Sequence, residues 1–217
     1  MKFFRTPFFL PKIFPSLTWR IQTTDKHIYL TFDDGPIPGP TEFVLNTLSK
    51  FKAKATFFCI GDNVRKYPMV FKSIHESGHS FGNHTFNHLN GWKTATAEYV
   101  DNIGACNKEF IQNTNLSSNL FRPPYGKISS AQVRALNSYK VIMWDVLTYD
   151  YSRSGTNEFH LRQSIRATRN GSIVVFHDSL KANNKLTYIL PRFLSHFSDL
   201  GFKFMALDQR QKEVSAM

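Results

Sequence analysis

Seven short apolar runs of strand length recur along the chain, and longer amphipathic stretches separate them. Between the runs, apolar residues recur at helical spacing, as at Phe43, Leu48 and Phe51. Strands that alternate with helices indicate parallel βα units. We therefore predict an α/β fold of about seven parallel strands that form a barrel-like sheet. The seven runs are HIYLTF at 27–32, KATFFCI at 54–60, GHSFGNH at 78–84, LFRPPY at 120–125, KVIMWDV at 140–146, SIVVFHD at 172–178 and FKFMAL at 202–207.

The chain contains neither an internal repeat nor a linker rich in Gly or Ser. Its 217 residues and its apolar content of 41% suit one globular core. We expect a single domain over residues 21–210, preceded by an aromatic and basic extension over residues 1–20.

Polar side chains with catalytic potential stand at the carboxyl ends of the predicted strands. Asp33 and Asp34 follow the first run, His84 ends the third, and His177 lies at the end of the sixth. In parallel βα folds these strand ends meet at one face, where functional residues collect. We therefore expect these side chains to share one site.

The stretch TFDDGP places two carboxylates side by side, and such a pair is costly to bury unless something binds it. His84 and His88 are four residues apart, which on a helical turn would bring both imidazoles to one ion. Two histidines and one aspartate form the ligand set of a catalytic zinc site, and the second aspartate would be a general base. The alternative for Asp34 is a turn cap before Gly35.

Two further segments add candidate groups. In FRPPYG, Arg122 can pair with a carboxylate, and a backbone N–H near Tyr125 could meet an oxyanion. In SIVVFHD, His177 could be a general acid, a metal ligand or a strand-edge residue. Either Asp145 or Asp150 could hold His177 in one tautomer and keep it protonated.

The segments TFDDGP, HTFNH, RPPYG, WDVLTYDY and VVFHD, in this order, resemble the five motifs of the polysaccharide deacetylases, the NodB-homology domain, over residues 27–207. The resemblance implies a distorted (β/α) barrel. It also implies a metal-dependent hydrolase that removes N- or O-acetyl groups from polymers such as peptidoglycan, chitin or xylan. We expect the N-acetylglucosamine units of peptidoglycan or of a chitin-like polymer to be the substrate.

The resemblance also implies a role for each matching residue. Asp33 would be the catalytic base, tuned by Arg122, and His177 the general acid, supported by Asp150. The backbone N–H of Tyr125 would hold the oxyanion. The ligands of Zn²⁺, or of another divalent ion such as Co²⁺ or Ni²⁺, would be Asp34, His84 and His88.

Three residues would line the pocket that takes the acetyl group: Trp144, Tyr151 and Val175. Two of them depart from the family pattern. Tyr151 stands where the family usually has tryptophan, and Val175 where it usually has leucine. The tyrosine keeps an aromatic wall but adds a hydroxyl and loses area.

Composition narrows the set of partners. A formal net charge of +11 favours anionic partners and suits an anionic cell wall, and the alternative is a basic surface that only keeps the protein soluble. The sequence has no run of five Lys or Arg and no nucleic-acid-binding signature, so we expect no nucleic acid. Cys59 and Cys106 could form one disulfide, but Cys59 lies in an apolar run and is expected to be a buried thiol.

The N-terminal extension is not a typical signal peptide, because Pro7, Pro11 and Pro15 break it and Lys12 interrupts it. No run of ~18 uncharged apolar residues follows, so we predict no transmembrane helix. The extension could lie on a membrane or cell wall through Phe3, Phe4, Phe8 and Phe9, with Lys2 and Arg5 at the headgroups, or it could pack across the domain. A cytoplasmic or peripheral membrane location is the default expectation.

Two other functions fit the same residues. One is an amidase of the same fold that acts on a small amide that is not a sugar. The other is a non-catalytic binder of glycans or anionic polymers, which the charge and the aromatic content of 15% would suit. A pure binder has no need of Asp33 as a base or His177 as an acid, which argues against it.

Overall fold

The computed structural model describes residues 2–207 together with 212–213. The predicted domain end at residue 210 lies outside the described residues. Ten strands are described: β1 His27–Asp33, β2 Thr56–Cys59, β3 Ser80–Asn83, β4 Leu116–Ser117, β5 Leu120–Phe121, β6 Lys140–Val141, β7 Val146–Leu147, β8 Ile173–His177, β9 Lys203–Met205 and β10 Lys212–Glu213. Eight α-helices are described: α1 Leu10–Ile13, α2 Pro40–Lys50, α3 Gly61–Lys66, α4 Pro68–Glu76, α5 Thr96–Thr114, α6 Ser130–Ala135, α7 Asn157–Ala167 and α8 Asn183–Asp199. Two short 3₁₀ helices span Gly91–Lys93 and Pro124–Gly126.

Seven strands form one curved parallel sheet in the order β6-β5-β3-β2-β1-β8-β7, and β9 pairs with the first half of β1. The predicted α/β class, the distorted barrel of about seven parallel strands and the single domain are confirmed. A short antiparallel pair of β4 and β10 lies apart from this sheet.

Phenylalanine fills much of the core between the sheet and the helices. Phe32 on β1 stacks on Phe57 and on Phe176 of the two neighbouring strands, with ring centroids 5.1 and 5.7 Å apart. All three rings are buried, and rings of this size contribute much of the burial that stabilises a core. The central strand is therefore held from both sides, which fixes the strand end that carries Asp33.

The run at 140–146 is not one strand, as we predicted, but two. Its first part, β6, pairs with β5 at one edge of the sheet, and its last part, β7, pairs with β8 at the other edge. Between them the chain crosses the gap of the barrel, which is the space between the two edge strands β6 and β7. There Met143 N donates to Thr18 O at 2.7 Å and Asp145 N donates to Ile173 O at 3.0 Å. A segment that joins two edges cannot stay in register with one neighbour, so the strand is interrupted.

The run at 120–125 is also shorter than predicted, because only Leu120 and Phe121 are in the strand. Pro123 and Pro124 follow, and neither has the N–H that a ladder hydrogen bond requires. The chain therefore turns away from the sheet immediately after Arg122.

The N-terminal extension packs across the gap of the barrel. Leu147 N donates to Phe4 O at 3.0 Å, and Thr6 N donates to Asp145 O at 2.8 Å. Phe4 is 8% exposed, and the Arg5 guanidinium donates to Ala167 O at 2.7 Å. Of the two placements considered for the extension, packing across the domain accounts for Phe4 and Arg5, which are both engaged in the fold. Contact of the exposed aromatic residues with a membrane or cell wall stays a prediction. No helix among the described residues has both the length and the apolar content needed to cross a bilayer.

Candidate active site

The carboxyl ends of the parallel strands come together at one mouth of the barrel. Asp33, the last residue of β1, is in register with His177 of β8, and Asn83, which precedes His84, is in register with Phe121. Here the strand ends surround a cleft of about 400 Å³. The cleft is lined by Asp33, Asp34, His84, His88, Pro123, Tyr125, Gly126, Trp144, Leu147, Tyr151, Val175, His177 and Lys181.

The turn after β1 directs the side chains of the two neighbouring aspartates to different partners. Asp33 ends the strand, whereas Asp34 has a left-handed backbone, with φ of 79°. Gly35 N donates to Asp178 Oδ1 at 3.1 Å, and a Cβ on Gly35 would lie 2.0 Å from Asp178 Oδ2. Glycine is therefore required at this close approach. The Asp34 carboxylate points to the histidines, so it does not act as the turn cap that we considered.

Asp34, His84 and His88 form a three-residue cluster whose ligand atoms lie within 4.8 Å of one another. Asp34 Oδ1 is 3.3 Å from His88 Nε2 and 3.8 Å from His84 Nε2. Ligands at ~2.0–2.1 Å from a tetrahedral zinc ion stand ~3.3 Å apart, so these spacings fit such an ion. One carboxylate and two imidazoles are also a usual donor set for catalytic zinc.

The two histidines do not lie on a helical turn, as the spacing suggested. They belong to a loop in which Thr85 and His88 have left-handed backbones, with φ of 62° and 56°. Thr85 N donates to Asn83 Oδ1 at 2.9 Å, and Leu89 N donates to Thr85 Oγ1 at 3.0 Å. Local side-chain hydrogen bonds therefore shape this loop in place of helical ones.

Each imidazole is oriented through its second ring nitrogen. His84 Nδ1 lies 2.7 Å from Arg122 O, and a carbonyl can only accept, so His84 Nε2 carries the free lone pair that a metal requires. His88 Nδ1 lies 3.1 Å from the Tyr125 hydroxyl, which leaves His88 Nε2 towards Asp34. The sequence interpretation assigned Tyr125 a backbone role only.

The electrostatics of the cluster favour the protonation states that bind a cation. Burial lowers the pKa of His84 to about 4, against the opposing charges of Asp33 and Asp34, so this imidazole is neutral. Burial would raise the pKa of Asp34, but the hydrogen bond with His88 and the charges of three histidines hold it well below its usual range. A deprotonated carboxylate and a neutral imidazole are the forms that ligate metals.

Asp33 is held by Arg122. The Arg122 Nη1 donates to Asp33 Oδ1 at 2.8 Å, and both side chains are almost fully buried. The guanidinium also donates to Thr31 Oγ1, Ile142 O and Met143 O, and it lies 4.2 Å from the centroid of the Phe58 ring. Four hydrogen bonds and the ring fix the guanidinium, which in turn fixes the orientation of the carboxylate.

His177 is held by Asp150 and not by Asp145. Asp150 Oδ1 accepts from His177 Nδ1 at 2.8 Å, and Asp150 Oδ2 accepts from His177 N at 2.7 Å. Burial would lower the pKa of His177, but the charge of Asp150, the hydrogen bond to it and the charges of Asp34 and Asp33 raise it to about 9. Asp145 instead accepts from Ser172 and Arg169 at 2.7 and 3.2 Å.

The structure places all the predicted site residues in or directly behind one cleft. Tyr125, Trp144, Tyr151 and Val175 line it, whereas Arg122 and Asp150 lie behind Asp33 and His177. The Tyr151 ring meets His177 edge to face, with centroids 4.8 Å apart. The chemical roles of all the predicted site residues stay predictions.

Sequence reasoning missed two groups at the site. Lys181 lines the cleft, with its Nζ 5.2 Å from the centroid of the Tyr151 ring, and no motif indicated it. Asp178 is fully buried and accepts from Gly35 N and, at 2.6 Å, from Thr41 Oγ1. Its position directly after His177 in VVFHD was a signal to which we gave no role.

Comparisons with known proteins agree with this architecture. A family model described as polysaccharide deacetylase matches residues 20–144. The chain is 30% identical to a peptidoglycan-N-acetylglucosamine deacetylase of Bacillus cereus, over 89% of this chain and 92% of that protein. It is 32% identical to peptidoglycan-N-acetylglucosamine deacetylase PgdA of Listeria monocytogenes over 86% of this chain, and it spans 39% of that longer protein.

One solved structure is similar to this protein along almost the whole length of both chains. The Bc1960 peptidoglycan N-acetylglucosamine deacetylase, in complex with 4-naphthalen-1-yl-N-oxidanyl-benzamide, superposes with a TM-score of 0.86 at 26% identity, covering 93% of this chain and 95% of that chain. The family model covers more than half of the 217 residues, and the curved parallel sheet agrees with it. On these grounds the chain belongs to the polysaccharide deacetylase family.

Proposed function

We propose that this protein is a metal-dependent hydrolase that removes N-acetyl groups from N-acetylglucosamine units of a peptidoglycan or chitin-like glycan. The observation that carries the proposal is the grouping, in one cleft, of the Asp34, His84 and His88 cluster with two buried carboxylate pairs, Asp33 with Arg122 and Asp150 with His177. A base held by a cation and an acid held by an anion suit the two proton transfers of amide hydrolysis.

Asp34, His84 and His88 would hold the ion, which is zinc or another divalent transition metal such as Co²⁺ or Ni²⁺. When bound, such an ion supplies Lewis acidity that activates water and polarises a carbonyl. His84 presents Nε2 because its Nδ1 is tied to Arg122 O. The cluster therefore offers three protein ligands, as catalytic zinc sites do.

Asp33 would accept the proton of the attacking water. It is beside the cluster, it lines the cleft, and Arg122 holds its carboxylate in one orientation. Water oxygen bonds to the acetyl carbonyl carbon as this proton leaves. The backbone N–H of Tyr125 would donate to the oxyanion that develops, and the loss of one such donor costs ~10²–10³ in rate.

His177 would protonate the leaving nitrogen as the C–N bond breaks, which yields an amine and acetate. An amide anion is too basic to leave unprotonated, so an acid is needed at this step. The raised pKa of His177, about 9, keeps the imidazolium available at neutral pH. Trp144, Tyr151 and Val175 line the same cleft and would contact the acetyl group and the sugar ring.

The decisive experiment is acetate release from a panel of N-acetylated glycans, with added Zn²⁺, Co²⁺ or Ni²⁺. The panel is chitooligosaccharides, peptidoglycan and a small aryl acetamide. Acetate from the glycans supports the proposal, and acetate from the small amide alone indicates an amidase. Glycan binding without acetate indicates a non-catalytic binder.

Two variants test the chemistry within this assay. Asp33→Asn and His177→Ala should each lose ~10²–10⁴ in turnover, the usual contribution of a positioned acid or base, and should keep the metal. Wild-type rates in both variants would contradict the assignment of base and acid.

Contact with an anionic cell wall or membrane is part of the proposal. The net charge of +11 supports it, and so do the exposed side chains of Phe3, Phe8 and Phe9, which are 58%, 80% and 46% exposed.

A further inference from the structure

An apolar groove of about 630 Å³ opens beside the catalytic cleft. One wall is the N-terminal extension, through Phe3, Leu10 and Phe14. The opposite wall includes Ile128 and Val133, the latter from α6. Of the described residues that line the groove, Arg134 is the only charged one. A groove of this size and composition is a candidate site for an apolar ligand.

The groove is continuous with the cleft. Tyr125, Gly126, Trp144 and Leu147 line both. A ligand that occupies the groove therefore lies next to whatever the cleft holds, and the two can be parts of one molecule. Continuity of this kind favours an occupant that is attached to the substrate.

Four polar side chains of the groove are already engaged with the protein backbone. Thr6 Oγ1 donates to Trp144 O at 2.6 Å, Trp19 Nε1 to Phe14 O at 3.2 Å, and Trp92 Nε1 to Ile128 O at 3.1 Å. Tyr149 donates through its hydroxyl to Phe3 O at 3.3 Å. A sugar unit needs partners for its hydroxyl groups, and these atoms cannot serve as donors to them. Three further polar side chains line the groove, Ser16, Ser130 and Arg134, and the remaining side chains are apolar or aromatic, which favours hydrocarbon over a further stretch of glycan.

Apolar side chains continue outward from the wall that the extension supplies. Phe14 and Phe3 are 45% and 58% exposed, and Phe8 and Ile13 beside them are 80% and 59% exposed. Lys12 lies among them, with its Nζ 5.8 Å from the centroid of the Phe8 ring. Exposed apolar residues next to a cation suit the surface of an anionic membrane, from which a lipid-linked substrate would come.

We propose that the apolar groove binds an aliphatic or prenyl chain attached to the acetylated sugar whose acetamido group enters the catalytic cleft. This inference rests on the proposed deacetylase function, and it names a substrate class within it, a glycan that carries a lipid chain.

The test compares the methyl and decyl glycosides of N,N′-diacetylchitobiose as substrates, below the concentration at which the decyl compound forms micelles. Each methylene that leaves water for the groove should raise kcat/KM up to ~4-fold, so the decyl compound should exceed the methyl compound at least ~10-fold. A ratio near one, with acetate released from both compounds, would overturn the groove proposal and leave the deacetylase proposal standing.

Variants of both walls locate the effect. Val133→Asp and Leu10→Asp should each abolish the chain-length ratio, because a buried charge opposes hydrocarbon. Met69→Asp is the matched control, since Met69 is 71% exposed on α4, away from the groove, and it should keep the wild-type ratio. The ratio is measured within one variant, so a general loss of activity cancels. A chain-length ratio that persists in both wall variants would place the alkyl chain of the substrate outside this groove.

A second measurement does not depend on activity. Tryptophan fluorescence of the metal-free protein, titrated with each glycoside, should show at least ~10-fold tighter binding of the decyl compound, and Val133→Asp should remove the difference. If no glycan releases acetate and this preference is present, the deacetylase proposal fails while the groove remains an apolar-chain site. Equal binding of the two glycosides would overturn the groove proposal.

Discussion

Arg122 Nη1 donates a 2.8 Å hydrogen bond to Asp33 Oδ1, and the side chains are 0% and 6% exposed. The carbonyl of the same arginine accepts from His84 Nδ1. Arg122 therefore connects the predicted base to a predicted metal ligand through one residue. A charged pair in such surroundings is costly to break, because the remaining partner stays buried without its counter-charge.

We expect Arg122→Ala to lower the free energy of unfolding by about 3–5 kcal/mol, since Asp33 is left as an unpaired buried carboxylate. Asp33→Asn in the same chain should cost less than it does alone, with a coupling of about 1–3 kcal/mol. Urea denaturation of the four proteins of this cycle measures both quantities. Arg65→Ala is the control, because Arg65 is an exposed arginine paired with Asp62, and its effect should stay within about 1 kcal/mol. Additive effects at Arg122 and Asp33 would contradict the coupling.

His84→Ala should remove bound zinc. The variant loses a ligand, so affinity should fall by more than the ~10–100-fold that the loss of an outer partner costs. Metal content after dialysis against a fixed low zinc concentration measures this. His196→Ala is the matched control, since His196 is an exposed histidine on α8, and it should retain the metal. Zinc bound normally by His84→Ala would show that the ligand set is wrong.

Asp150→Asn should lower the pKa of His177. In the wild-type chain burial would lower this pKa, but the charge of Asp150, the hydrogen bond to it and the charges of Asp34 and Asp33 together raise it to about 9. Removal of the Asp150 charge should bring the pKa down by at least ~1 unit. NMR titration of the His177 ring in the metal-free protein measures the shift. Asp145→Asn is the control, because Asp145 pairs with Arg169 and Ser172, and it should leave the titration of His177 in place.

The same pair predicts a sign for the dependence of stability on pH. The folded pKa of His177 exceeds its ordinary value of 6.5, so the stabilisation is fully present below about pH 6.5 and is lost as pH rises through about 9. The loss should be smaller in Asp150→Asn. Urea unfolding of the metal-free proteins between these pH values measures it, and an equal loss in the variant would remove the pair as its cause.

Gly35→Ala should destabilise the turn that presents Asp34. The new Cβ would lie 2.0 Å from Asp178 Oδ2, and the backbone or the carboxylate must move, at a cost of about 1–3 kcal/mol. In an Asp178→Ala background the same change should cost less, because the clashing atom is gone. Gly104→Ala, in α5 with open space around its Cα, should be neutral or stabilising by up to about 1 kcal/mol. Thermal unfolding of these variants distinguishes a clash from a general intolerance of alanine.

Much of the fold could be predicted because its signals are local. Apolar runs of strand length and residues at helical spacing report on neighbours a few positions away, so the parallel βα order was accessible, and the count of seven runs favoured a barrel-like sheet. The position of Asp33 and His177 at strand ends followed from the same runs, since parallel strands bring their carboxyl ends together.

Several features could not be read from local patterns, because partners distant in the chain settle them. The run at 140–146 splits because its two halves pair with different edges of the sheet. The choice of Asp150 over Asp145 depends on which carboxylate faces His177 and which faces Ser172. Asp178 meets Gly35 across 143 positions of sequence.

The residue types, their order along the chain and the family resemblance that they carry were sufficient to predict the barrel and the side chains that meet in the cleft. The assembled fold was needed to establish the loop that carries His84 and His88, the place of the N-terminal extension across the gap and the apolar groove beside the cleft. The physical reason is the distance along the chain over which each signal acts. Periodicity records how a residue sits relative to its neighbours, whereas a cleft or a charge pair forms between segments whose proximity only the packed sheet creates.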